Sequence, residues 1–220
     1  MKHLQDFKYF REAVIEPFDF TEFLTNIKNN EYNSLEELNS MSSEFEVEFS
    51  NFDDFHDSLG SDVEKEMAPK ELMLMGGVKF ALFNKYSNSM MIVVEEEMFL
   101  EFLKGDGLDS LLAFLNEVLR HESIHYQQVG RMKDKTSYKL DASPTHNTKK
   151  YWTDKKELMA YAQTLIDHLT QQGLDKNEVE HKIKSPGDIK SWVWNVYKQV
   201  LDETQMKRFL KYVYQYWEKM

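Results

Sequence analysis

The stretch from residue 110 to residue 128, SLLAFLNEVLRHESIHYQQ, constrains the fold more than any other part of the chain. Leu111, Leu115 and Leu119 recur at helical intervals, and further apolar residues lie between them. A helix that is apolar around most of its circumference has to be buried. The sequence therefore predicts a central, buried helix that begins near residue 110.

The second half of this helix carries the motif HExxH, as His121, Glu122 and His125. In a helix, residues four apart differ by about 40° in direction and about 6 Å in height, so both imidazoles can reach one ion. Glu122 points off the ligand axis, where it can accept a proton from a metal-bound water. The alternative is that the two histidines lie near each other without a metal.

The chain contains no cysteine, and this restricts the kind of metal site it can build. A thiolate site is impossible, so any metal must be held by histidine, carboxylate or water. Zinc fits a site of this kind, and we expect one zinc ion per chain.

Glu157 is the candidate for a third ligand. It lies in the first turn of a second predicted helix, residues 153–173, TDKKELMAYAQTLIDHLTQQG. The small side chains of Ala160 and Ala162 would allow this helix to pack closely against the helix that carries His121. The competing interpretation is that Glu157 takes part with Asp154 in capping its own helix.

Strand signals are few and short. Residues 78–83, VKFALF, and 90–94, MMIVV, flank a polar turn and predict a β-hairpin, and residues 44–52 alternate as in a strand with one buried face. The expected fold class is α+β, mostly helical, with a small antiparallel sheet or hairpin packed on the helix that carries His121.

The net charge of −11 is unevenly distributed. Residues 31–66 contain twelve acidic side chains and a single lysine, but they also contain aromatic residues that can be buried. We expect an acidic segment over residues 1–70, packed on a catalytic domain over residues 71–220 and forming one compact unit with it. An acidic protein of this kind is not expected to bind nucleic acid.

The N-terminus lacks the apolar stretch of a secretory signal, and no apolar run approaches the roughly 20 residues of a membrane span. We expect a cytoplasmic protein that is not secreted and has no membrane partner. The Trp and Tyr residues between residues 192 and 217 could line an aromatic substrate pocket, but such a stripe more often serves as core packing.

The sequence HESIH, followed 32 residues later by ELMAYA, resembles the gluzincin group of zinc peptidases. More narrowly, residues 151–162, YWTDKKELMAYA, with an upstream HExxHxxQ, are similar to small zincin-like proteins of tailed bacteriophages. The resemblance covers about residues 78–170. A phage protein of this kind would act in the cytoplasm of the bacterial host.

The resemblance implies a zincin-like fold and a peptidase that acts on a peptide or protein substrate. It makes His121 and His125 zinc ligands, Glu157 the third ligand, and Glu122 the general base and later proton donor. The 78–94 hairpin would align an extended peptide by backbone pairing.

Two groups that are expected in a gluzincin active site are not identified by any motif in this sequence. Gluzincins often carry an acidic residue four positions after the Glu ligand, to orient the first histidine, and this chain has Tyr161 there. The candidates for a group that stabilises the oxyanion are Tyr126, Tyr138, His146 and Tyr151. Each of them is also readily explained as an ordinary surface or core residue.

Three functions therefore compete. The first is a zinc peptidase. The second is a zincin-fold protein without catalysis, which acts by binding a host or virion partner. The third is an acidic decoy that uses the charge of residues 31–66 to occupy a basic host surface.

Overall fold

The computed structural model describes residue 15 and residues 17–58, 74–84, 89–130, 149–185 and 189–220. The chain divides into two compact units, one of residues 17–145 and the other of residues 1–16 and 146–220. The first unit contains the helix that carries His121.

The described part of the first unit is a mixture of helices and three strands. Its elements are α1 (Thr21–Asn29), α2 (Leu35–Ser42), a 3-10 turn (Ser43–Phe45), β1 (Val47–Asn51), α3 (Phe52–Ser58), β2 (Val78–Asn84), β3 (Ser89–Val94), α4 (Glu96–Lys104) and α5 (Leu108–Gly130). Helix α5 is the predicted central helix.

The three strands form one sheet in the order β1-β3-β2. Strands β2 and β3 are antiparallel, with Ala81 opposite Ile92, which confirms the predicted hairpin. Strand β1 pairs with β3 in parallel, with Phe49 opposite Ile92, so the expectation of a purely antiparallel sheet was wrong. Alternation of apolar residues reveals a strand and its buried face, but it carries no information on the direction of the neighbouring strand.

Helix α5 packs against β2 and β3. Leu111, Leu115 and Leu119 are fully buried in one apolar cluster with Val78 and Ile92. The segment Met90–Val94 of the central strand is buried throughout, which explains its continuous apolar run. The prediction of a small sheet packed on the HExxH helix is therefore confirmed.

The acidic tract is folded over its described part, residues 31–58. Its apolar residues point inward, with Val47, Phe49 and Phe52 buried, whereas nearly all of its carboxylates are exposed. This arrangement explains how a stretch of such high charge can pack, because each strand or helix turns only its apolar face to the core.

The outer edge of β1 is closed by side chains of α2. The side-chain amide of Asn39 donates to the carbonyl of Phe49 at 2.7 Å, and its oxygen accepts from the Phe49 N–H at 2.7 Å. The Ser42 hydroxyl donates to the carbonyl of Val47 at 2.8 Å. Side chains thus satisfy backbone groups that an edge strand otherwise leaves open to another strand.

We predict that Asn39→Ala lowers the free energy of unfolding by about 1–3 kcal/mol, because two backbone groups of Phe49 lose their partners in a partly buried place. The check is urea unfolding followed by circular dichroism. Asn39→Asp keeps an acceptor for the Phe49 N–H and should fall between the wild type and Asn39→Ala. An Asn39→Ala protein as stable as the wild type would contradict the role of this side chain.

The described part of the second unit is helical. Its elements are α6 (Lys149–Thr153), α7 (Lys155–Gln171), α8 (Lys176–Lys184), α9 (Trp192–Val200) and α10 (Glu203–Lys219). The helix predicted over 153–173 is confirmed as α7. Asp154 is its N-cap, with its side chain accepting from the N–H of Lys156, and Gly173 follows its end at a φ of 76°.

An aromatic core fills the space between these helices. Tyr197 stacks on Phe209 with 4.3 Å between ring centroids and an interplanar angle of 4°. Trp152 and Tyr161 pack against the same Tyr197 ring at 5.6 Å and 5.7 Å. Most of the aromatic residues of the C-terminal segment are core packing, as expected, and the buried ones are Trp194, Tyr197, Tyr212 and Tyr216. Tyr214 and Trp217 are half-buried, and Trp192 is 45% exposed.

Among the residues that the structure describes, none offers a hydrogen-bond partner to the buried hydroxyl of Tyr197. Burial raises the pKa of Tyr197 well above its usual value, and the nearby Tyr161 and Glu157 raise this pKa further. The hydroxyl therefore stays neutral in the folded protein through the alkaline range in which an exposed tyrosine ionises.

We predict that Tyr197→Phe raises the free energy of unfolding by about 1 kcal/mol at neutral pH, because the lone hydroxyl no longer has to be desolvated. Above pH about 10 the unfolded wild type releases the Tyr197 proton and the folded protein does not. The advantage of the variant should therefore grow as pH rises beyond that point. Denaturant unfolding of both proteins at pH 7, 9 and 11 measures this difference, and a constant or shrinking difference would contradict it.

Candidate metal site

The two histidines of the motif lie one turn apart on α5 and point at each other. Their Nε2 atoms are 3.2 Å apart, and their ring centroids are 4.9 Å apart. His121 is 8% exposed and His125 is 5% exposed. Two nitrogens that bind one zinc ion at about 2.0–2.1 Å with tetrahedral angles are about 3.3–3.4 Å apart. The observed pair is close to that geometry.

The ring of His125 also has a partner at its other nitrogen, Nδ1. Its Nδ1 lies 3.0 Å from the side-chain oxygen Oε1 of Gln128, three residues further along α5. Both nitrogens of this buried ring therefore lie within hydrogen-bonding distance of another side chain. This orients the ring with Nε2 toward His121.

The two middle residues of the motif, Ser123 and Ile124, anchor α5 through buried contacts. Ile124 is fully buried, and so is Ser123. The Ser123 hydroxyl donates to the carbonyl of Arg120 at 2.8 Å and accepts from the backbone N–H of Phe18 at 3.1 Å. The Phe18 ring packs edge-on against Tyr126 with 5.5 Å between centroids. The segment before α1 is thus attached to the middle of the motif.

Glu122 is more exposed than the histidines that flank the motif, although it belongs to the same turn. The difference follows from helical geometry, because a residue next to His121 is rotated by about 100° around the axis. Glu122 therefore leaves the helix in a different direction from the histidine pair. Its role as a base stays a prediction.

Glu157 lies in the first turn of α7, as expected. Its alternative role was to cap that helix by accepting the N–H of Asp154. In the structure this N–H donates to the carbonyl of Tyr151 at 3.1 Å, and the Asp154 side chain accepts from Lys156. The N-terminus of α7 is therefore capped through Asp154 and Tyr151. By contrast, α8 and α10 both begin with a full capping box.

His121 and His125 of the first unit and Glu157 of the second unit are residues of the types that can hold a metal ion, and each offers one ligand atom. The two histidines are buried and Glu157 is half-buried. Two imidazoles and one carboxylate make up a ligand set that zinc accepts, and they leave a fourth position for water or substrate.

Tyr161, at the position where gluzincins often carry an acid, belongs to the aromatic core. Its hydroxyl lies 3.2 Å from the hydroxyl of Tyr151, and its ring packs against Trp152 at 5.1 Å. Of the other candidate helpers, Tyr126 packs on Phe18, whereas Tyr138 and His146 lie outside the described residues. None of these contacts assigns an oxyanion-stabilising group.

His168, also on α7, was expected to lie too far along the helix to share the ion. In the structure its Nδ1 lies 2.8 Å from the hydroxyl of Ser191, directly before α9. Its role is therefore a contact between two helices of the second unit.

Sequence reasoning noted Gln128 as the last residue of HExxHxxQ without giving it a role, and it missed Ser123. The spacing of His125 and Gln128, three residues apart on one helix, was a signal for the first contact. Nothing in the sequence near Ser123 pointed to Phe18, because the two residues are 105 positions apart.

Within the described residues, no helix is both long enough and apolar enough to cross a membrane. No protein-family model matches the chain, and comparisons with curated proteins and with solved structures give no match.

Proposed function

We propose that this chain is a zinc-dependent metallohydrolase of the gluzincin type, and specifically a peptidase. The observation that carries the proposal is the convergence of His121 and His125, whose Nε2 atoms lie 3.2 Å apart in a buried place on an HExxH helix. Glu157, in the first turn of α7, supplies the carboxylate that the proposed site requires as its third ligand.

The ligand types favour zinc over calcium and magnesium. Calcium and magnesium prefer sites made of oxygen atoms, and two imidazoles are poor ligands for them. Sites with two histidines and one glutamate are a catalytic zinc arrangement, in which the fourth position stays open. A structural zinc site would be expected to fill all four positions with protein ligands.

When bound, zinc would supply a Lewis acid that polarises a substrate carbonyl and makes an attacking water more acidic. The task of Glu122 is to accept the proton of that water and then to give it to the leaving amine. Its position one residue after His121, with greater solvent exposure than either histidine, suits this task. The buried histidines hold the reacting centre, and Glu122 moves the proton.

The second candidate is a protein of the same kind that binds a host or virion partner without catalysis. The observation that favours it is Tyr161, which supplies no carboxylate to orient a ligand and instead pairs with Tyr151. The two candidates share the metal site and differ in turnover. An experiment on Glu122 therefore separates them better than an experiment on the ligands.

We predict about one zinc per chain in the wild type, by elemental analysis of protein purified with zinc supplied. His121→Ala and His125→Ala should lose it, and Glu157→Ala should hold it weakly, because each change removes one of three ligands. Zinc should raise the melting temperature of the wild type, since it binds the folded state.

His181→Ala and Glu22→Ala are the matched controls for these variants. Both remove an exposed helical side chain of the same type as a ligand, at α8 and in the first turn of α1. They should keep the zinc content of the wild type. A wild-type protein that takes up no zinc would rule out the proposed function.

We predict that Glu122→Gln keeps its zinc and loses peptidase activity by about 10²–10⁴-fold, because the amide cannot take the proton from water. Cleavage of a peptide library, read by mass spectrometry, measures this loss. Glu117→Gln, a half-buried carboxylate earlier on the same helix, is the control and should remain active. A fully active Glu122→Gln would disprove the mechanism, and a zinc-loaded wild type that cleaves nothing would favour the binding protein.

A further inference from the structure

We propose that Gln128 is a positioning residue that holds His125 in the tautomer with hydrogen on Nδ1 and a free electron pair on Nε2. The observation is the 3.0 Å distance between the Gln128 side-chain oxygen and Nδ1 of His125. The effect of this tautomer on zinc binding rests on the proposed function. The tautomer itself is a property of the metal-free protein.

The chemistry of the two groups sets the direction of this hydrogen bond. An amide oxygen can only accept, so Nδ1 of His125 has to carry the hydrogen that the bond requires. A neutral imidazole has one N–H, and therefore Nε2 of His125 carries an electron pair. Zinc binds this form of the ring through Nε2.

The same assignment fixes the hydrogen bond between the two histidines in the metal-free protein. Nε2 of His125 lies 3.2 Å from Nε2 of His121, and one of these two atoms has to donate. If His125 presents an electron pair there, His121 is the donor through an Nε2–H. A zinc site that used Nε2 of both rings would then require His121 to carry its proton on Nδ1.

Local geometry makes Gln128 suited to the task. It lies three residues after His125 on α5, so it faces the same side of the helix, and its side chain is half-buried. His125 is 5% exposed, which leaves little water to compete for Nδ1. The partner of a ligating histidine is usually a carboxylate, a backbone carbonyl or water, and a side-chain amide oxygen offers the same acceptor without a charge.

The first test is the tautomer of His125 in the metal-free protein, from long-range ¹H–¹⁵N correlation spectra of the imidazole rings. The His125 signals are assigned by their absence from His125→Asn. The wild type and Gln128→Glu should show hydrogen on Nδ1, because both side chains present an oxygen acceptor. Gln128→Met, which has a similar shape and only a weak acceptor, should shift the population toward the form with hydrogen on Nε2.

The second test is zinc affinity, measured by competition with a chelator. Gln128→Met should bind zinc about 10–100-fold more weakly than the wild type, and Gln128→Glu should restore the affinity. Gln127→Met is the matched control, because Gln127 is the neighbouring half-buried glutamine of the same helix. It should change neither the spectrum nor the affinity.

The outcomes separate this inference from the proposed function. Hydrogen on Nε2 of His125 in the metal-free wild type would overturn the inference, whatever the zinc content. An unchanged zinc affinity of Gln128→Met would overturn it as well. If the wild type shows the expected tautomer but takes up no zinc, the orienting role of Gln128 is supported and the proposed zinc enzyme is refuted.

Discussion

The burial of α5 against the sheet is the interaction on which the candidate site depends. Leu111, Leu115 and Leu119 are fully buried there, and each such side chain contributes about 1.5–3 kcal/mol relative to an exposed one. This packing fixes the rotation of the helix about its axis. Because His121 and His125 follow on the same rigid element, their direction is fixed as well, and two imidazoles are held in an environment from which most water is excluded.

A buried imidazole is unfavourable unless its polar atoms have partners. The helix itself provides them for His125, with Gln128 on one nitrogen and His121 on the other. These contacts lie within eight residues of one helix, so they form as that helix packs. The histidine pair is therefore organised by the protein itself, and the proposed zinc ion would meet two imidazoles that have already lost their rotational freedom.

The sequence predicted the parts of the molecule that local spacing determines. The HExxH helix, the hairpin of β2 and β3 and the helix that carries Glu157 all follow from periodicity and turn residues. The direction of β1, the closure of its edge by Asn39 and the attachment of Phe18 to Ser123 did not follow. Each depends on a partner that lies on another element, and a single sequence carries no signal for such contacts.

The departure at Tyr161 concerns His121 and not His125. In gluzincins an acid at that position orients the first histidine, whereas the ring of His125 is oriented by Gln128 on its own helix. Position 161 carries a ring of the aromatic core, which packs with Tyr151 and Tyr197 and stabilises the helix that carries Glu157. The candidate ligand His125 is therefore supported from within α5, and the candidate ligand Glu157 sits on a helix that aromatic packing holds in place.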